Sequence, residues 1–205
     1  DYCPVPKPIT DDGYDVLLNV CSLWREGTHF GWGAVSALPD VEPALGYYDE
    51  GIPEVADWEI KFMVENGIDV QHFCWYCPSN NQLEPIKRSS LNFALHDGFF
   101  NAEYSDMMKF TFMWENTGVN TTNLEDFKTY IWSYWMDYYF LDSRFYTIDN
   151  KIVFTTWSYG NFKKAFGGTN EGAKEAIQFM NDDAKAHGFD GVMVFFADGH
   201  AQDAG

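Results

Sequence analysis

Short runs in which nearly every position is apolar alternate along this chain with longer stretches whose apolar positions recur every three or four residues. The runs are Tyr14 to Cys21 (YDVLLNVC), Ile68 to Tyr76 (IDVQHFCWY), Lys109 to Trp114 (KFTFMW), Ile152 to Trp157 (IVFTTW) and Gly191 to Phe196 (GVMVFF). Each is bounded by turn residues and nearly continuous in apolarity, which is how a strand buried on both faces reads.

The stretches between them predict amphipathic helices. Pro53 stands where a first helical residue belongs, Val55, Trp58, Phe62 and Met63 share a face, and Gly67 fits the terminating position. A second helix is predicted over about 83–97. Asn123 is placed to cap a third, in which Phe127, Ile131, Trp135 and Tyr139 recur every four residues. Asn170 is placed to cap a fourth, with Ala173, Ile177, Met180 and Ala184 inward and Gly188 at its end.

Strand and helix in strict succession mean a parallel sheet with helical crossovers. Two α/β architectures satisfy that order, an open doubly wound sheet and a (β/α)8 barrel. No glycine-rich phosphate-binding fingerprint follows the first strand, so the nucleotide-binding form of the open sheet lacks its signature. Strand ends fall roughly forty residues apart, so eight units would need roughly 300 residues or more, whereas barrels typically run to about 250 or more. The 205 residues hold about five units. The whole chain, 1–205, therefore reads as one domain, either an open sheet or the N-terminal five or so units of a barrel. Five strands of an unclosed barrel leave an edge for an oligomeric partner or a further C-terminal part to cover.

Composition narrows the partners. With 31 acidic and 13 basic side chains the formal net charge is −18, which repels nucleic acid and anionic lipid surfaces. No stretch approaches the eighteen consecutive apolar residues of a membrane span. Eight Trp, 12 Tyr and 18 Phe make an unusual number of rings; a core uses many of them, Trp and Tyr also make flat platforms with polar edges that suit hydroxyl-rich ligands such as sugars, and composition alone does not separate the two uses. Four cysteines, at 3, 21, 74 and 77, are too few for a disulfide scaffold. The chain opens at Asp1 rather than Met, read as a processed start, so an exported, secreted or periplasmic protein is expected. Asn120-Thr121-Thr122 is a glycosylation sequon.

In either topology ligands bind at the carboxyl ends of the strands. Those ends carry Trp24, Arg25, Glu26, His29 and Trp32; Trp75, Tyr76 and Cys77; Trp114, Glu115 and Asn116; Trp157, Ser158 and Tyr159; and Asp198 and His200. Rings there would stack on pyranose faces, and carboxylates and amides would hold hydroxyls. Glu115 is the best candidate for a catalytic carboxylate, because apolar neighbours raise a carboxyl pKa and favour a general acid. Glycoside hydrolysis needs a second carboxylate across the bond, and Glu26, Asp49, Glu50 and Asp198 all stand as partners. Cys74-Trp75-Tyr76-Cys77 is a C-x-x-C, but Cys74 lies within a strand rather than opening a helix, against a thiol-redox role. His72, Cys74 and Cys77 lack the second cluster that a metal site would need.

Several segments resemble the WbsX-type glycan-processing proteins, relatives of glycoside hydrolase family 99. Leu45-Gly46-Tyr47-Tyr48-Asp49-Glu50 followed by Pro53-Glu54-Val55 resembles their "GYYD…DPEV" segment. Gly67-Ile68-Asp69 with Phe73-Cys74-Trp75-Tyr76 resembles "GIDGF…WY". Residues 109–116 resemble "KFALMWAN", and Phe145 to Phe154 resemble "YWKIDGKPVF". Gly188-Phe189-Asp190-Gly191 opens the next strand as in that family. The resemblance implies a (β/α)8 barrel acting on an oligosaccharide or polysaccharide, with no metal or cofactor. It implies an endo-α-mannosidase-like hydrolase or, by the WbsX label, a glycosyltransferase of polysaccharide assembly. A non-catalytic carbohydrate-binding scaffold is the rival class. Val70 stands where the family prefers Gly, and Glu115 where many members have Ala. The family's Glu-Trp-x-Glu-like catalytic segment is absent from these 205 residues. The expected sugar cleft is therefore lined by Trp24, Trp32, Trp75, Tyr76, Trp114, Glu115, Asn116 and Tyr159, with the catalytic pair supplied from outside this sequence.

Overall fold

In the computed structural model, residues 2–9, 13–25, 31–33, 35–38, 40–77, 90–117 and 123–198 are described. The chain divides into two compact units, residues 1–74 with 90–110 and residues 75–89 with 111–205.

The first unit begins with strand β1 (Leu17–Val20), continues through helix α1 (Pro53–Val64) and returns in β2 (Val70–Tyr76), whose last two residues belong to the second unit. β1 and β2 are parallel, with Leu17 opposite Val70 and Val20 opposite Phe73. β1 departs from expectation. Leu17 and Leu18 are 39% and 42% exposed, so this strand is not buried on both faces. Its start is fixed by Asp69, whose carboxylate accepts from the Val16 N–H at 2.8 Å.

Pro53 opens α1 as predicted, and Gly67 closes its C-terminal turn with φ +75°. The inward stripe differs from the one read in the sequence. It consists of Ala56, Asp57, Ile60, Met63 and Val64, while Phe62 is 46% exposed. The reason is Asp57, a polar residue at an inward position. Its carboxylate accepts from the N–H groups of Tyr104 at 2.7 Å and Glu103 at 3.1 Å, and from the Tyr2 hydroxyl. The helix is rotated to deliver that carboxylate to a turn whose donors would otherwise be buried unpaired.

The helix expected over 83–97 lies partly outside the described residues. Its described part is a series of 3₁₀ and π-type turns, Ser90–Asn92, Ala94–Gly98 and Phe99–Asn101. Gly98 is required there, because a Cβ would meet the Glu50 carbonyl oxygen at 2.3 Å.

The second unit holds most of strand β3 (Lys109–Glu115), then β4 (Thr147–Ile148), β5 (Lys151–Thr156) and β6 (Val192–Phe196). β3 and β6 flank β5 and run parallel to it. The two-residue β4 was not foreseen. It pairs antiparallel with β5 through a turn at Asp149 and Asn150, both with φ near +50°.

A helix over 124–140 (α2) follows β3. The predicted cap is present, the Asn123 side chain accepting from the Asp126 N–H at 2.8 Å. Phe127, Ile131, Trp135 and Tyr139 are each 0% exposed. The helix alternates α-helical turns with π-type turns at Phe127–Trp132 and Met136–Phe140. Helix α3 (Tyr159–Ala165), capped by Ser158, is not among the predicted helices. Helix α4 (Asn170–Ala186) is capped by Thr169, one residue before the cap read from the sequence, and ends before Gly188 at φ +93°.

The core of this unit is aromatic. Trp75, Phe112, Trp114, Phe127, Trp132, Trp135, Phe140 and Phe154 form a continuous set of ring contacts, most of them edge-on or tilted.

Candidate functional site

Side chains alternate between faces along a strand, so neighbouring residues at a strand end cannot both face a ligand. At the end of β2 the Trp75 ring is 1% exposed. It lies against Trp135 and Phe112, and its Nε1 donates to the Tyr139 hydroxyl at 2.9 Å. At the end of β3 the Trp114 ring is 0% exposed, enclosed by Phe127, Trp135, Phe154 and Phe162. Both rings expected to meet sugar have their faces covered by protein. The opposite face of the same strands carries Tyr76 and Glu115, both half-buried.

The register of β5 adds a third group to that face. Trp114 pairs with Thr156, so the next position sets Trp157 beside Glu115, and Trp157 is 45% exposed. Trp157 stood among the strand-end residues but not in the expected cleft. Counting two residues on from Thr155, rather than taking every ring at a strand end, identifies it.

The remaining expected residues of this unit serve the loops. The Asn116 side chain is a two-way clasp, donating to the Ser158 carbonyl at 2.9 Å and accepting from the Ser158 N–H at 3.0 Å. It is 2% exposed, and its hydrogen-bonding groups are used within the protein. Tyr159 is 4% exposed, packs on Phe196 and donates its hydroxyl to Asn170 at 3.0 Å. The Asp198 carboxylate accepts from the Tyr159 N–H at the start of α3, also at 3.0 Å. Glu115 accepts through Oε1 from both the N–H and the hydroxyl of Thr117, whereas Oε2 has no hydrogen bond among the described residues.

The first unit gathers a separate group. Trp24 and Trp32 stack on each other with ring centroids 4.1 Å apart, and Trp32 also donates its Nε1 to the Tyr48 carbonyl and is 7% exposed. Arg25 bridges Asp49 at 2.9 Å and Asp97 at 3.2 Å and lies 4.3 Å over the Phe93 ring. Beside this nest is a cavity of about 380 Å³ lined by Trp24, Tyr48, Glu50, Glu59, Phe62 and Gln71, among others.

The two carboxyls of this cavity are held toward their protonated forms. Burial raises Glu50 to about 8, opposed by the backbone N–H of Trp24, which it accepts at 2.8 Å, and reinforced by the nearby charge of Glu59. Burial raises Glu59 to about 7, opposed by a hydrogen bond from Gln71. Burial also pushes the Tyr48 hydroxyl up to about 12. The cavity thus presents two carboxylic acids able to donate protons near neutrality. Glu50 was among the carboxylates weighed as partners. Glu59 was missed, although it stands one turn before Met63 and so shares that inward residue's side of α1.

Of the other candidates, Glu26, His29, His200, the loop after Cys77 and the sequon at Asn120 lie outside the described residues. Burial lifts the Cys77 thiol to about 11, the reverse of what a reactive C-x-x-C requires. Among the described residues no group of three or more His, Cys, Asp or Glu could hold a metal ion, and no helix is long and apolar enough to cross a membrane.

Parallel strands joined by helices define an α/β protein, and the arrangement is consistent with part of a (β/α)8 barrel. The chain is similar in structure to such a barrel, the GH99 endo-α-mannosidase from Bacteroides thetaiotaomicron solved in complex with bis-tris-propane. The TM-score is 0.51 and the identity 18%, over 75% of this chain and 47% of that one. This chain thus spans about half the length of that neighbour. No protein-family model matches the sequence, and no curated protein matches it.

Proposed function

We propose that this chain forms part of a glycan-active barrel protein, a glycoside hydrolase of the endo-α-mannosidase type, in which Tyr76, Glu115 and Trp157 contact the saccharide. The observation that carries this reading is the half-exposed indole of Trp157, set by register beside Glu115 at the carboxyl end of parallel strands. An indole face covers the C–H groups of a pyranose, and the open oxygen of Glu115 accepts from an adjacent hydroxyl.

Glu115 holds substrate in this reading rather than breaking the bond. Hydrolysis calls for two carboxyl groups about 5–5.5 Å apart for retention, or farther for inversion. Within the second unit Asp198 is committed to the Tyr159 N–H, and Glu115 is tied to Thr117. Neither of these two is therefore assigned as half of a catalytic pair.

The test is calorimetric titration of the full chain with an α-mannan and with unrelated polysaccharides as controls. Binding of the mannan is expected, weakened about tenfold or more by Trp157→Ala, a loss of about 1.4 kcal/mol. No binding to any polysaccharide, or an affinity that Trp157→Ala leaves unchanged, would refute the proposal. The engagement of Glu115 Oε1 by the N–H and hydroxyl of Thr117 favours a second reading, a binding scaffold without turnover. It is supported if the mannan binds and no oligosaccharide is released by the longest available form of the protein.

A further inference from the structure

We propose that Cys21 and Cys74 are a cross-strand thiol pair that closes to a disulfide on exposure to a disulfide oxidant. β1 and β2 run parallel in a register that sets Asn19 opposite His72 and Val20 opposite Phe73. Continued one position past the end of β1, that register sets Cys21 opposite Cys74. Both project from the face opposite to Phe73, since side chains alternate along a strand.

Neighbouring strands lie about 4.7–4.9 Å apart, within the Cα separation of about 4.4–6.8 Å that disulfides span. The separation of the two Cβ atoms is then a few tenths of an ångström above the usual range, a gap that sheet twist can close. Access favours the same pair. Cys21 is exposed and Cys74 half-buried, while Cys3 is buried and forms no part of this face.

The C-x-x-C spacing points elsewhere, to Cys74 with Cys77, so the register and the motif make opposing statements. The register has the stronger claim because Cys74 lies inside β2. Extended backbone throws residues 74 and 77 to opposite faces, since their separation is odd.

The chemistry is thiol–disulfide exchange with glutathione disulfide as oxidant. The Cys21 thiol loses its proton to solvent and its sulfur attacks one sulfur of the oxidant. The oxidant's S–S bond breaks, and one glutathione leaves as thiolate and takes up a proton. The Cys74 thiol, likewise deprotonated, then attacks the Cys21 sulfur of the mixed disulfide and expels the second glutathione. Two protein thiols are oxidised and one glutathione disulfide is reduced to two thiols. The bond would tie β1, the more exposed strand of its unit, to β2, and so hold in place the segment that carries Trp24 and Arg25.

The full chain is incubated with glutathione disulfide, then denatured for thiol titration and digested for peptide mapping. The thiol count is expected to fall from four to two, with the peptides of Cys21 and Cys74 linked. The linkage is expected to survive Cys77→Ser and to be lost in Cys21→Ser. A Cys74–Cys77 linkage, glutathione adducts without an internal bond, or a count that stays at four would each overturn the proposal. The mapping of the unsubstituted chain decides it without reliance on any variant's folding.

Discussion

Substituting Trp114 and Trp157 in parallel tests the division of the strand ends into an enclosed face and an open one. Trp114 is 0% exposed and touches four aromatic rings, so truncation to Ala empties a large volume that rigid neighbours cannot fill. The expected cost of Trp114→Ala is about 3–5 kcal/mol, a large part of the roughly 5–15 kcal/mol by which domains are stable. At a urea slope of about 2 kcal/mol/M this moves the unfolding midpoint down by roughly 2 M. Trp157→Ala removes a half-exposed ring and is expected to change stability by about 0.5 kcal/mol or less. A third variant sharpens the contrast. The Trp114 Nε1 has no hydrogen-bond partner among the described residues, so Trp114→Phe discards a buried unpaired donor along with part of the ring. Relief of about 1–3 kcal/mol from that donor offsets part of the packing loss, and Trp114→Phe is expected to sit far closer to the unsubstituted chain than Trp114→Ala. Urea unfolding followed by circular dichroism reads all three. Equal midpoints for Trp114→Ala and Trp157→Ala would refute the assignment of faces.

Two further outcomes are expected. Glu50 and Glu59 keep their protons in the folded protein up to about 8 and about 7, against an ordinary value of 4.5. The folded state therefore binds more protons than the unfolded one across that window. Their contribution to stability is full below about pH 4.5 and is lost as pH rises through 7 to 8, by an amount on the order of a few kcal/mol. Glu59→Gln should flatten that dependence in denaturant titrations at several pH values, and an unaltered pH profile would refute the assignment. Asp57→Ala leaves the Glu103 and Tyr104 N–H groups without their acceptor and is expected to cost about 2–5 kcal/mol, read as a lowered unfolding midpoint; a loss under about 0.5 kcal/mol would show that water replaces the carboxylate.

All five parallel strands were legible because runs such as KFTFMW are too short for a helix and too apolar for a loop. The fourfold recurrence from Phe127 to Tyr139 likewise announced an enclosed helix face. What escaped was local or polar. β4 is two residues long, and its only signal is the Asp149-Asn150 pair, both residue types that accept positive φ. α3 has seven residues, and its signal was the capping hydroxyl of Ser158. Asp57 and Glu59 were passed over because a carboxylate on an amphipathic helix usually faces water. The site was misjudged at Trp75 and Trp114 because adjacent residues at a strand end were credited with the same outlook, whereas the pleat sends one of each pair under the helices.

The ring cluster of the second unit has an optical consequence. The indoles of Trp75 and Trp114 lie 5.1 and 5.5 Å from that of Trp135, and Trp132 lies 6.5 Å from it. At such spacings transition dipoles couple, so excitation delocalises and the near-ultraviolet dichroism carries split bands rather than isolated ones. Trp157, 45% exposed, is expected to emit to the red of this group. Loosening of this interior is thereby expected to change the near-ultraviolet spectrum, with no label attached.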